Sequence, residues 1–105
     1  MSRKLDAAIA EALGTKFVVA FRCPSGERIM GCPLYSTDGN AMLELDREMR
    51  EREFELRVDN YGRVYATNYY NLQTEEWVGF VAENTMPLAV AKSAYKALKG
   101  KEWGK

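Results

Sequence analysis

"FELRVDNYGRVYATNYY", Phe54 to Tyr70, decides how this chain reads. Phe54, Leu56 and Val58 alternate with Glu55 and Arg57, the period-two pattern of a strand with one apolar and one polar face. "DNYG" then supplies turn formers and "RVYATNYY" resumes a β-prone run, so the segment is expected to form an antiparallel hairpin. "NLQTE" offers a second turn. "EWVGFVAE", Glu76 to Glu83, follows it and is apolar on both faces through Trp77, Val78, Phe80, Val81 and Ala82. It is expected as a third strand covered on both sides, with Gly79 allowing a close approach.

Helical periodicity flanks this meander. After Ser2, Leu5, Ala8, Ile9, Ala12 and Leu13 recur at three- and four-residue steps and stop at Gly14. "KFVVAFRC" reads as an interior strand, with Phe17, Val19 and Phe21 on one face and Val18 and Ala20 on the other. "PSGERIMGCP" reads as a loop with a short extended piece at Arg28 to Met30. In "PLYSTDGNAMLEL", Pro33 to Leu45, Ser36, Thr37 and Asp38 compete to cap a helix expected from Thr37 to Arg52, with Met42, Leu45 and Met49 on its buried face. Asp46 and Arg50, Arg47 and Glu51, and Glu48 and Arg52 stand four apart there, pairs that support a solvated helix by about 0.2–0.5 kcal/mol each. Asn84 or Thr85 caps the last helix, Pro87 lies in its first turn, and Leu88, Ala91, Ala94, Tyr95 and Leu98 form its stripe up to Gly100.

The order is α-β-α-β-β-β-α. It predicts one α+β domain over residues 1–105, an α-β-α sandwich whose mainly antiparallel sheet has helices on both faces, with a polar tail from about residue 100 in which Trp103 is the apolar anchor. At 105 residues the chain is long enough for a core without obligatory staples.

Composition bounds the chemistry. Fifteen basic residues balance fifteen acidic ones, which removes the positive field that gathers nucleic acid, so no nucleic-acid partner is expected. No apolar run is long enough to span a bilayer, and Asp6 and Glu11 interrupt the N-terminal segment, which argues for a cytoplasmic protein without a membrane partner. Histidine is absent, so neither a metal site nor activation of Cys23 or Cys32 as a nucleophile is expected, and the two thiols read as free and structural. Among the carboxylates only Glu83 has an apolar setting, and solvated surface charge is the stronger reading for the rest. No catalytic residue and no cofactor are assigned.

Two places are candidate binding sites. One is the corner at Tyr35 and Asp38, where a helix start gathers unpaired amides, although an aspartate there repels an anion and serves better as a cap. The other is the run of tyrosines, Tyr61, Tyr65, Tyr69 and Tyr70 with Arg63, which could stack a base or form a protein interface. Tyr65 and Tyr69 are the binding candidates there. An edge strand of the hairpin could also pair with a second copy, giving a homodimer through a continuous sheet.

Four strings, "LDAAIAEALG", "PLYSTDGNAMLEL", "FELRV" and "AENTMPLAVAKSAYKALKG", together resemble the phage ABA sandwich domain, a family of small proteins encoded by bacteriophages and prophages. The resemblance implies a single compact domain with helices on both faces of an antiparallel sheet, and implies no established activity. Gly39 and Asn40, where the family has apolar or small residues after "YSTD", and the long "FRCPSGERIMGC" segment depart from its pattern. The function expected is that of a non-enzymatic phage or prophage accessory protein that binds a host or phage protein in the host cytoplasm. The alternatives are a small-ligand or nucleotide-binding domain, and a counter-defence inhibitor of a host immune component.

Overall fold

The hairpin is present in the structure, a computed structural model that describes residues 2–14, 19–22, 28–31 and 35–103. The elements are α1 (Ser2–Ala12), β1 (Val19–Arg22), β2 (Arg28–Gly31), α2 (Gly39–Glu51), β3 (Phe54–Tyr61), β4 (Val64–Asn71), β5 (Glu76–Trp77), β6 (Val81–Glu83) and α3 (Met86–Lys99). β3 and β4 pair antiparallel from Phe54 opposite Asn71 to Tyr61 opposite Val64. That register puts the reversal at Gly62 and Arg63, the last residue of "DNYG" and the one after it. Gly62 has φ 76°, the positive value that a two-residue hairpin requires at its first central position when the second stays in the ordinary region.

β5 and β6 both pair antiparallel with β4, which completes a four-stranded sheet. The expected third strand is therefore two pieces. Trp77 stands opposite Tyr70 and Val81 opposite Thr67, so the three residues between Trp77 and Val81 face two on β4. This is a β-bulge. The Val78 N–H still reaches the Tyr69 carbonyl at 2.9 Å, but the Gly79 N–H turns to the Asn68 side-chain oxygen at 3.0 Å. "EWVGFVAE" reads as apolar on both faces because the bulge shifts its alternation by one residue in mid-strand.

The α+β class and the antiparallel sheet stand as expected, whereas the helices are distributed differently. Thr67 and Tyr69 lie on one face of β4; the Thr67 hydroxyl donates to the Ala89 carbonyl of α3 at 2.9 Å, and the Tyr69 hydroxyl donates to Asp46 of α2 at 3.3 Å. α2 and α3 thus share a face, and α1 packs on α3 rather than on the sheet. No described helix covers the other face. β1 and β2 pair only with each other among the described residues, from Val19 opposite Gly31 to Arg22 opposite Arg28. The extended piece expected at Arg28 to Met30 is thereby found, while "KFVVAFRC" is not an interior strand of the main sheet over its described part.

α3 is the centre of the packing, in contact with α1, α2, β4 and β6. Its small residues Ala89, Ala91, Ser93 and Ala94 are fully buried, which lets the neighbouring elements approach its backbone. Leu5, Ile9, Leu45, Met49 and Val90 fill the core around it, each contributing about 1.5–3 kcal/mol through burial. At the tail Trp103 packs edge-on against Tyr95 with ring centroids 5.1 Å apart, the anchoring expected of it.

The closest approach is at the bulge. A Cβ on Gly79 would lie 2.6 Å from the Ser93 carbonyl oxygen and 2.9 Å from its hydroxyl, and the Ser93 hydroxyl donates to the Gly79 carbonyl. Gly79→Ala is expected to lose about 1–3 kcal/mol in urea unfolding, the cost of overpacking against backbone. Gly39→Ala, where a Cβ would meet nothing within 4 Å, should be neutral or up to about 1 kcal/mol more stable.

Candidate functional site

The bulge places two large side chains together. Trp77 and Phe80 are three residues apart and in a regular strand would point to opposite faces; the extra residue brings both onto the face that α2 and α3 leave open. Trp77 is 52% and Phe80 59% exposed, and between them they border a concavity of about 330 Å³ floored by Ala66, Thr67 and Asn68. Arg57 and Asp59 of β3 form its far wall, joined by an ion pair of 3.2 Å. Tyr70 supports Trp77 from the neighbouring strand, edge-on with centroids 5.0 Å apart. Asn68 holds the bulge through the Gly79 N–H, and so fixes the backbone between the two aromatic residues.

Phe80 also borders a second concavity of about 270 Å³, beside Glu83, Lys92 and Trp103. Glu83, the carboxylate singled out by its apolar setting, is ion-paired there with Lys92 at 2.6 Å. The Lys96 ammonium donates to the Phe80 carbonyl at 3.2 Å. Among the described residues no group of three or more cysteine, aspartate or glutamate side chains is arranged to hold a metal ion. No described helix is long and apolar enough to cross a membrane.

The residues named from sequence fall elsewhere. Tyr35 is 3% exposed and belongs to the core with Tyr69, which is fully buried, so neither presents a ring to a ligand. Asp38 is the cap of α2, its carboxylate accepting from the Asn40 N–H at 3.0 Å with Gly39 as the first helical residue. The helix thus begins two residues later than Thr37, and the Ser36 N–H goes instead to the buried Asp6 carboxylate at 2.9 Å. Tyr65 is half-buried opposite Asn60, on the helix-facing side with Tyr69, whereas Tyr61 and Tyr70 lie on the open side. The tyrosines are therefore split between faces and form no stacking platform. Cys23 and Cys32 lie outside the described residues.

On α2, Asp46 meets Arg50 at 3.3 Å and Glu48 meets Arg52 at 2.9 Å as the spacing predicts, but Arg47 pairs with Glu44 at 2.6 Å rather than with Glu51. Asp46 also receives the Tyr69 hydroxyl. Burial first, and then the neighbouring Asp46 charge and hydrogen bond, push the Tyr69 phenol far above its ordinary range, so it is a donor throughout physiological pH.

No family model and no curated protein matches this sequence. A solved structure does. The fold is shared with a phage protein from Bacillus cereus ATCC 14579, at a TM-score of 0.67 and 18% identity over 92% of this chain and 91% of that one. The similarity to a phage protein agrees, at the level of fold, with the resemblance carried by the four sequence strings.

Tyr69 generates a pH prediction. Its folded state favours the protonated phenol, so its contribution is complete below the unfolded value of about 10 and declines as pH rises above it. Tyr69→Phe should cost about 1 kcal/mol at pH 7 through the lost hydrogen bond. Urea unfolding at pH 7 to 11 should show the wild type losing stability above pH 10 more steeply than Tyr69→Phe.

Proposed function

We propose that this chain is a phage or prophage accessory protein that acts without catalysing a reaction, by binding another protein in the host cytoplasm through the open face of its sheet. The observation that carries the reading is the pair Trp77 and Phe80, each more than half exposed on one face and set around a concavity whose opposite wall is the Arg57–Asp59 ion pair. Large aromatic groups are enriched among the residues that dominate protein interfaces, and a charged rim beside them supplies orientation. The fold shared with a phage protein supports the phage setting. A non-catalytic role is supported by the absence of histidine from the sequence and by the engagement of Glu83 with Lys92.

A second reading rests on the size of the concavity. At about 330 Å³ it lies at the lower end of the range of small-ligand sites, roughly 300–1,000 Å³. Trp77→Ala distinguishes the two, and because the side chain is exposed the variant should fold as the wild type does. Affinity capture from bacterial lysate should recover specific proteins with the wild type and lose them with Trp77→Ala, whose affinity for a purified partner should fall about 30-fold or more. An unchanged set of captured proteins would remove the protein-binding reading. A small molecule retained by the wild type in native mass spectrometry and lost in Trp77→Ala would favour the second.

A further inference from the structure

We propose that β3 is a dimerisation edge, along which two copies of this chain join antiparallel about a twofold axis at Val58 into one continuous sheet. β3 ends the four-stranded sheet, and among the described residues β4 is the only strand paired with it. The Glu53 carbonyl accepts from the Leu72 N–H at 2.9 Å, so odd-numbered positions turn their backbone groups toward β4. Alternation then leaves the N–H and C=O groups of Phe54, Leu56, Val58 and Asn60 facing away from the sheet. Eight residues without a bulge, proline, glycine or lysine make a regular template for another strand.

The opposite edge is built otherwise. β5 and β6 have two and three residues, the bulge separates them, and the Lys96 ammonium occupies the Phe80 carbonyl at 3.2 Å. Short strands, a bulge and a lysine all blunt an edge against pairing. One side of the sheet is thus closed by three devices that the other side lacks.

The charges on β3 choose both the occupant and the register. Glu55, Arg57 and Asp59 lie on the open face, where residues directly opposite across two strands have Cβ atoms about 4.5–5.5 Å apart. With the twofold at Val58, Arg57 faces Asp59 of the second copy, and the same pair forms again by symmetry. Each Arg57 then lies between two Asp59 carboxylates, its own at 3.2 Å and that of the other copy. Tyr61, 70% exposed, comes to stand opposite Glu55. A twofold at Arg57 would instead place arginine against arginine and Glu55 against Asp59. One at Leu56 would pair Glu55 with Arg57 but set Glu53 against Asp59, two carboxylates, at the residue whose φ of 63° ends the strand. Of these three registers, the one at Val58 brings opposite charges together with no like pair.

The test is sedimentation of the full chain at about 100 µM, where a micromolar complex is populated. The wild type should run as a dimer, at twice 11.9 kDa. Arg57→Glu and Asp59→Arg, both at exposed side chains, should each raise the dissociation constant about tenfold or more, read as the same shift of the monomer–dimer midpoint in a dilution series from that concentration, while circular dichroism shows both folded. Mixed in equal amounts they should recombine, because the new carboxylate then faces the new guanidinium while the native Asp59 faces the native Arg57. A monomeric wild type, a dimer indifferent to both substitutions, or failure of the mixture to recombine would each overturn the proposal.

Discussion

The contact between α3 and the bulged strand at Gly79 is the constraint on which the rest of the arrangement depends. Ser93 and Gly79 meet backbone to backbone, closer than any side chain at position 79 would permit, and the Thr67 hydroxyl ties the next strand to the Ala89 carbonyl one turn earlier on the same helix. α3 therefore sits against the sheet at a distance set by hydroxyls and alanines rather than by large apolar groups. Its remaining sides are free for α1 and α2, and the large residues of the core, Leu5, Ile9, Leu45 and Met49, fill the space those helices enclose. The same bulge that accommodates Ser93 re-aims Phe80. Packing on one face of the sheet and display on the other are thus consequences of a single extra residue.

Polar groups lock the layer of helices in place. The buried Asp6 carboxylate on α1 accepts the Ser36 N–H, which holds the entry to α2 against the first helix. At the other end of α2, Arg52 donates to the Leu13 carbonyl at 2.7 Å and to Glu48, so one guanidinium closes the end of α1 and braces the end of α2. Buried carboxylates are costly unless hydrogen-bonded, and these bonds are directional where apolar contacts are not. They tie both ends of α2 to α1, two helices that otherwise meet only through α3.

Local periodicity made the helices and the hairpin legible. Leu5, Ile9 and Leu13 on α1, Met42, Leu45 and Met49 on α2, and Ala91, Ala94 and Tyr95 on α3 are all buried as their spacing requires. Gly79 was legible as a close approach because a glycine within a strand has few other uses. The distribution of the helices was not, since a bulge leaves no periodic trace: Trp77 to Ala82 reads identically as a strand buried on both faces and as one shifted by a residue. Asp6 was missed for a related reason, because a carboxylate on a helix is by default solvated, and only the arrival of the Ser36 N–H thirty residues away makes it internal. Tyr35 and Tyr69 carry no local sign of burial, and the core claims both.

The candidate site follows from what the helices cannot reach. With α2 and α3 on one face, β3 and β4 carry the polar Glu55, Arg57, Asp59 and Asn68 on the other, beside Tyr61 and Tyr70, whose hydroxyls also tolerate water. Trp77 and Phe80 do not belong to that description. A strand facing solvent does not need two large aromatic rings, and stability alone would be served by smaller or more polar groups there. Tyr70 braces the ring of Trp77 and Asn68 fixes the backbone beside Phe80, so the fold sets where both side chains leave the strand. The bulge therefore sets the geometry of this face within the fold itself, through the same extra residue that seats α3 on the other side.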